Sequence, residues 1–124
     1  MLPHLAARRL RPRDSDIISL AAAVAADAIA IGPAATAVLT ASANLSDADD
    51  AYQSALTDLQ TAIDGGNDKA ILAAAETVLS TSAAQQDAET AYDGALAALM
   101  TANTQLANDQ AALSAAINAL LGGS

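Results

Sequence analysis

From Ile17 onward a bulky apolar residue returns at every seventh position: Ile17, Val24, Ile31, Val38, Leu45, Tyr52 and Leu59. After an interruption the series resumes at Ile71 and Val78, passes through Gln85, and continues with Tyr92, Leu99, Leu106, Leu113 and Leu120. Three residues after each member stands a mostly small one. These are Leu20, Asp27, Ala34, Ala41, Ala48, Ala55 and Ala62 in the first run, and Ala74, Thr81, Ala88, Ala95, Ala102, Asp109 and Ala116 in the second. With the first series lettered a and the second d, the chain carries two long heptad runs. A sustained seven-residue period keeps one stripe of a helix facing a partner helix, with a left-handed supercoil. A bulky residue at a with alanine at d lets two helices approach closely.

The interruption is Asp64-Gly65-Gly66-Asn67-Asp68. Glycine takes the left-handed conformation that ends a helix, and Asn67 or Asp68 suits the cap of the next one. The pattern therefore predicts a first arm over about 15–64, a turn at 65–67 and a second arm over about 68–121. Both arms are near fifty residues, roughly 75 Å at the helical rise, and equal arms suit an antiparallel hairpin. In such a hairpin facing residues would sum to about 131–132. Gly32-Pro33 falls inside the first arm and reads as a break, yet the heptad passes from Ile31 to Val38 in register. A kinked, continuing arm is expected rather than a third helix. The expected fold is all-α: a long antiparallel hairpin, kinked at Gly32-Pro33, with heptad coiled-coil packing.

The two arms also resemble each other. Residues 31–63 and 71–103 match at 16 of 33 positions, among them Ile31/Ile71, Val38/Val78, Leu39/Leu79, Tyr52/Tyr92, Leu56/Leu96 and Leu59/Leu99. Internal duplication accounts for this, and so would similar packing demands on both arms.

Composition sharpens the picture. The chain of 124 residues has no Trp, Phe or Cys and only two Tyr. Its hydrophobic content is mostly alanine, the best helix former but a poor source of buried area. One alanine seam cannot offset the entropy of ordering the chain, about 1–2 kcal/mol per residue. The apolar face is wider than one seam, with Ala70, Ala84, Ala91, Ala98, Ala112 and Ala119 on one flank and Ala75, Leu96, Ile117, Leu56 and Ile63 on the other. A face that wide calls for more than one neighbour, so the hairpins are expected to oligomerise into a helical bundle or to dock onto another protein.

The net charge of −9 is unevenly spread. Arg8, Arg9, Arg11 and Arg13 supply four of the five basic side chains, which leaves Lys69 against fourteen acids, or −13, beyond residue 13. An acidic body repels phosphates, so no nucleic acid is expected on it. Residues 1–13 read as a basic arm that docks on an acidic surface, with the four arginines as docking residues. The arginines followed by an apolar run imitate a signal peptide, but Asp27 interrupts that run, so neither a cleaved signal nor a membrane span is expected.

Little in the chain suggests chemistry. His4 stands alone in the arm, no cluster has metal-ligand spacing, and no phosphate loop, nucleophile elbow or triad is present. No catalytic residue, metal or cofactor is expected. Asp27 and Asp109 are the exception, two carboxylates at d positions. Asp27 would face about residue 104, one turn from Asp109. The two could form a cation site or an acid–base pair, or stand solvated, or specify register as buried polar groups do. Gln85 at an a position, with Ser42 and Ser82 beside the seams, also reads as a register device.

The alanine-rich hairpin with a glycine turn resembles the small secreted hairpins of type VII secretion systems in layout. Those carry a Trp-x-Gly turn and a tyrosine-based export motif, whereas this turn has no tryptophan and Tyr92 is followed by Asp-Gly-Ala-Leu. The lysine-poor, cysteine-free heptads resemble small helical fibre or decoration proteins of phage virions. The expected role is structural and non-enzymatic: an oligomeric rod anchored by its basic arm to another structural protein, in a virion or outside the cell. The alternative is a secreted or envelope-associated hairpin that serves as a binding module.

Overall fold

The structure, a computed structural model, describes residues 12–122, with side chains described over residues 16–122. It is all-helical. Helix α1 spans Pro12–Gly65, 54 residues, and helix α2 spans Asp68–Gly122, 55 residues. Among the described residues only Gly66 and Asn67 lie outside them. The chain is a helical hairpin.

The first helix starts slightly earlier than the sequence suggests. Pro12 is its first residue, where the ring's fixed φ suits a helix and the missing N–H has no partner to lose. Arg13 is therefore helical, although the sequence places it at the end of the arm. Pro33 lies inside α1 and the helix continues through it. No separate third helix forms at Gly32-Pro33, although Pro33 supplies no N–H for the Ile29 carbonyl.

The turn is built from two residues. Gly66 adopts φ 71°, the left-handed region that costs a side-chain-bearing residue about 1–2 kcal/mol. Its N–H donates to the carbonyls of Ala62 and Ile63, both at 3.1 Å, which closes α1. Asn67 then caps α2. Its Oδ1 accepts from the N–H of Lys69 at 3.0 Å and of Ala70 at 3.2 Å, and its carbonyl accepts from the Ile71 N–H at 2.9 Å. The acid that follows, Asp68, lies in the first turn, where the helix dipole favours it.

Because Gly66 and Asn67 form the whole turn, residues i and 133 − i lie equally far from it. Every a position of α1 is thereby matched to a d position of α2, and every d to an a. The chain separates into two units. In the unit Ala35–Ala97, the matched layers set bulky against small: Val38 with Ala95, Tyr92 with Ala41, Leu45 with Ala88, Val78 with Ala55, Leu59 with Ala74 and Ile71 with Ala62. Ala55 is 2% exposed and Ala41 8%, and these are the two buried residues among those described. In the unit of Met1–Ala34 and Ala98–Ser124, Ile31 is matched with Ala102, Leu99 with Ala34 and Ile17 with Ala116. Val24 meets the layer of Asp109 there, and Leu106 that of Asp27.

Threonine is tolerated in these helices because its hydroxyl is satisfied locally. Thr57, Thr61, Thr77, Thr81 and Thr90 each donate to the carbonyl four residues back, at 2.8–3.2 Å.

Candidate functional site

Ile17, Val24, Ile31, Val38, Leu45, Tyr52, Leu59, Ile71, Val78, Tyr92, Leu99, Leu106, Leu113 and Leu120 are all half-buried. The d positions are half-buried or, at Ala41 and Ala55, buried. Of the docking arginines, Arg8, Arg9 and Arg11 lie outside the described residues, as does His4. Arg13 lies in α1 with its side chain undescribed.

Polar groups of the two arms meet in each unit. In the unit 35–97, Gln85 Nε2 donates to Asp49 Oδ1, joining an a position of α2 to the e position of α1. Both residues are half-buried. A carboxylate acceptor strengthens such a bond and the surroundings make its loss costly. The match of Gln85 with Ala48 leaves room for an amide where a larger facing residue would not.

In the other unit the carboxyls of Asp27 and Asp109 lie close enough to interact. The Asp27 pKa is raised above the ordinary aspartate range by its hydrogen bond to Asp109, by partial desolvation and by the Asp109 charge, in that order. Asp109 Oδ2 also accepts from Gln105 Nε2 at 3.3 Å. The second Asp27 oxygen, Oδ2, is shielded from solvent and has no hydrogen-bond partner. The sequence count placed Asp27 opposite residue 104. The shorter turn moves the match to 106, and the carboxyls then meet directly. Among the described residues no group of three or more His, Asp or Glu side chains is placed to hold a metal ion.

The largest feature is a surface. Among the described residues the exposed bulky apolar ones are Ile18, Ile29, Leu39, Leu56, Ile63, Leu72, Leu79, Met100, Ile117 and Leu121. In heptad letters Ile18, Leu39, Leu72, Leu79, Met100 and Leu121 are b positions, Leu56, Ile63 and Ile117 are e positions, and Ile29 is an f position. None falls at c or g. Around a helix the order a, e, b runs to one side of the seam and d, g, c to the other. When two helices run antiparallel, their e and b positions fall on the same side of the pair. The bulky apolar residues thus gather on one side in each unit, and the other side carries mostly Ala, Ser and Thr. Covering one such side chain fully would contribute about 1.5–3 kcal/mol.

The sequence pattern showed the e flank through Leu56, Ile63, Leu96 and Ile117, but not the b stripe beyond it. It also gave equal weight to the alanines at g. Those, Ala70, Ala84, Ala91, Ala98, Ala112 and Ala119, are exposed, while Ala75 and Leu96 at e are half-buried. Alanine has little area with which to draw a helix face inward. The missed signal was present: Ile18, Leu39, Leu72, Leu79, Met100 and Leu121 each directly follow an a residue.

Helix α1 also contains an 18-residue window of mean hydropathy 1.9, long and apolar enough by length and composition to cross a bilayer. No protein-family description, curated protein or solved structure matches the chain.

Proposed function

We propose that the protein is a structural element: hairpins assembled side by side into a rigid helical rod, anchored through the basic N-terminal residues to another structural protein, as in a phage virion fibre or decoration. The observation that carries this reading is the contrast between helix length and burial. Two helices of 54 and 55 residues bury only Ala41 and Ala55 among the described residues. Long helices in water are held mainly by tertiary packing of an apolar face, and that face is here left uncovered. The heptad stripe supports coiled-coil packing within the hairpin, and the uncovered e and b flank supports packing between hairpins. The arginines at 8, 9, 11 and 13, set against an otherwise acidic chain, support docking on an acidic surface. No enzymatic role is proposed. Sedimentation of the full chain tests the reading: concentration-dependent assembly is expected, and a monomer that neither self-associates nor binds an assembly partner would end it.

The apolar window in α1 favours a second reading, a secreted or envelope-associated binding module whose start acts as a targeting segment. Asp27 within the apolar stretch opposes it, because a carboxylate at mid-bilayer is costly. Mass spectrometry of the mature N-terminus separates the two. Retention of the arginines supports the structural element, and removal of roughly the first thirty residues supports the binding module.

A further inference from the structure

Charge divides the chain between its two units. The unit Ala35–Ala97 holds ten acids against Lys69, or −9. The other holds Arg8, Arg9, Arg11 and Arg13 against Asp14, Asp16, Asp27 and Asp109, four against four. Over residues 17–34 and 98–122 the charged side chains are Asp27 and Asp109, and both occupy d positions at the seam. The outward positions of these two stretches carry no charge at all, where a solvated surface ordinarily has about a quarter of its residues charged. Their bulky apolar residues gather on the e and b side, with Ile18, Met100 and Ile117 at 69, 67 and 40% exposed. Ala25, Ala28 and Ala107 lie exposed on the same side. The c and g side has no Ile, Leu, Val or Met. An uncharged side with exposed bulky residues marks an interaction surface.

We infer that this uncharged side is a homotypic interface: two copies overlap antiparallel through residues 17–34 and 98–122, and the basic arm of each reaches acids of the other. The inference rests on the structural reading above and names the arm's partner within the rod as another copy of the chain.

The place of the arm selects a second copy. Beyond the uncharged stretches the e and b side carries Asp49 on α1 and Glu89 and Asp93 on α2. Asp93 is matched with residue 40, about 42 Å along α1 from Pro12 at the helical rise. Arg8 stands four residues before Pro12, and even full extension carries it only about 14 Å. A copy's own arginines fall short of these acids. Antiparallel overlap closes the gap. With residue 17 of one copy beside residue 34 of the other, Arg13 to Arg8 come alongside about residues 38–48 of the second α1. Asp93, Glu89 and Asp49 stand at that level, matched with or at residues 40, 44 and 49. The four arginines outweigh Asp14 and Asp16 beside them, so the start of the chain brings a net +2 to these three acids. A two-fold axis makes the same pairing twice. The overlap itself sets no acid against an acid, because its outward positions are uncharged. One side of a helix pair over this length is roughly 27 Å by 20 Å. With side-chain relief that approaches the about 800 Å² each partner gives to a standard interface. Hydrocarbon suits the surface less well: Asn103, Gln110 and Ser114 share the side, and unpaired amides are costly there.

The test uses the full chain. Ala25→Asp with Ala107→Asp places two charges at the centre of the overlap, where each copy's meet the other's. Ala26→Asp with Asn108→Asp adds the same charge at exposed c positions. Sedimentation equilibrium is expected to show self-association in the wild type and the control, weakened roughly 100-fold or more in the first variant. Raising salt from about 0.01 M to 0.15 M should weaken the wild-type assembly by screening arginines from acids. Arg8→Gln, Arg9→Gln and Arg11→Gln together should weaken it and remove that dependence. A further measurement does not depend on how the charged variants fold. Nitroxides at Ala107→Cys, in a chain with no native cysteine, should broaden each other's spectra as protein concentration rises, while nitroxides at Leu72→Cys should not. Parallel pairing would broaden both and overturns the inference. Assembly that survives Ala25→Asp with Ala107→Asp, or that salt strengthens, also overturns it and leaves the structural reading standing. A wild type that stays monomeric overturns both, and one that floats with zwitterionic lipid vesicles transfers the surface to a membrane.

Discussion

Ala55 is the most enclosed residue described, 2% exposed at a d position in the layer of Val78. Replacing it with leucine asks three more carbons to fit where the arms meet over a single methyl group. Overpacking a filled site costs about 1–3 kcal/mol. At 124 residues each kcal/mol lowers the melting temperature by about 3–6 °C, between the values for smaller and larger domains, so Ala55→Leu should melt roughly 3–18 °C below the wild type, or change its assembly to make room. Ala95→Leu, at a half-buried d position in the layer of Val38, should lose less. Ala97→Leu is the control. It lies at an exposed f position of α2, and leucine is nearly as good a helix former as alanine, so it should be close to silent. Circular-dichroism melts of the three variants at one protein concentration, with their molar masses, provide the comparison. If Ala55→Leu melts at or above Ala97→Leu with unchanged mass, the arms are not closely apposed at that layer and the alanine seam is refuted.

Other consequences are independent of that layer. Asn67→Ala leaves the Lys69 and Ala70 N–H groups without their acceptor and should cost about 1 kcal/mol in thermal unfolding, with Asn67→Asp largely retaining the cap. Pro33→Ala should raise the melting temperature, by the equivalent of up to about 3 kcal/mol, because it restores a donor to the Ile29 carbonyl. Pro33 is exposed, so little packing is given up. A drop would mean that a partner uses the ring. The Asp27–Asp109 pair predicts a pH dependence of known sign. Since Asp27 binds its proton more tightly folded than unfolded, its contribution is full below about pH 4, the unfolded value, and is lost as pH rises through the raised folded value. Asp27→Asn keeps a neutral donor facing Asp109. The melting temperature of the wild type minus that of the Asp27→Asn variant should fall with rising pH across that window, and a flat or rising difference would contradict the raised pKa of Asp27.

The two helices and their turn were legible because seven-residue spacing and paired glycines are local signals that no tertiary contact has to supply. The burial of Ala41 and Ala55 follows from the same spacing. What could not be read depended on a residue or two of register. Asn67 and Asp68 were equal candidates for the cap, and only the two-residue turn selects Asn67. That turn moves the match of Asp27 by two residues and brings its carboxyl to Asp109, a contact that spacing within either arm does not encode. Continuity through Gly32-Pro33 was a contest between a local break signal and a heptad in register, and the heptad prevails. The apolar b stripe went unnoticed because burial in a hairpin concerns a, d and e, and an exposed side becomes visible only once exposure is known.

The claim that these helices are held by neighbouring copies is tested most directly by the melting temperature of the full chain over roughly a hundred-fold range of protein concentration. Folding coupled to assembly makes the midpoint rise with concentration by mass action. A midpoint that stays constant across the range would show that a single hairpin holds itself together on its alanine seam, and would contradict the assembled rod.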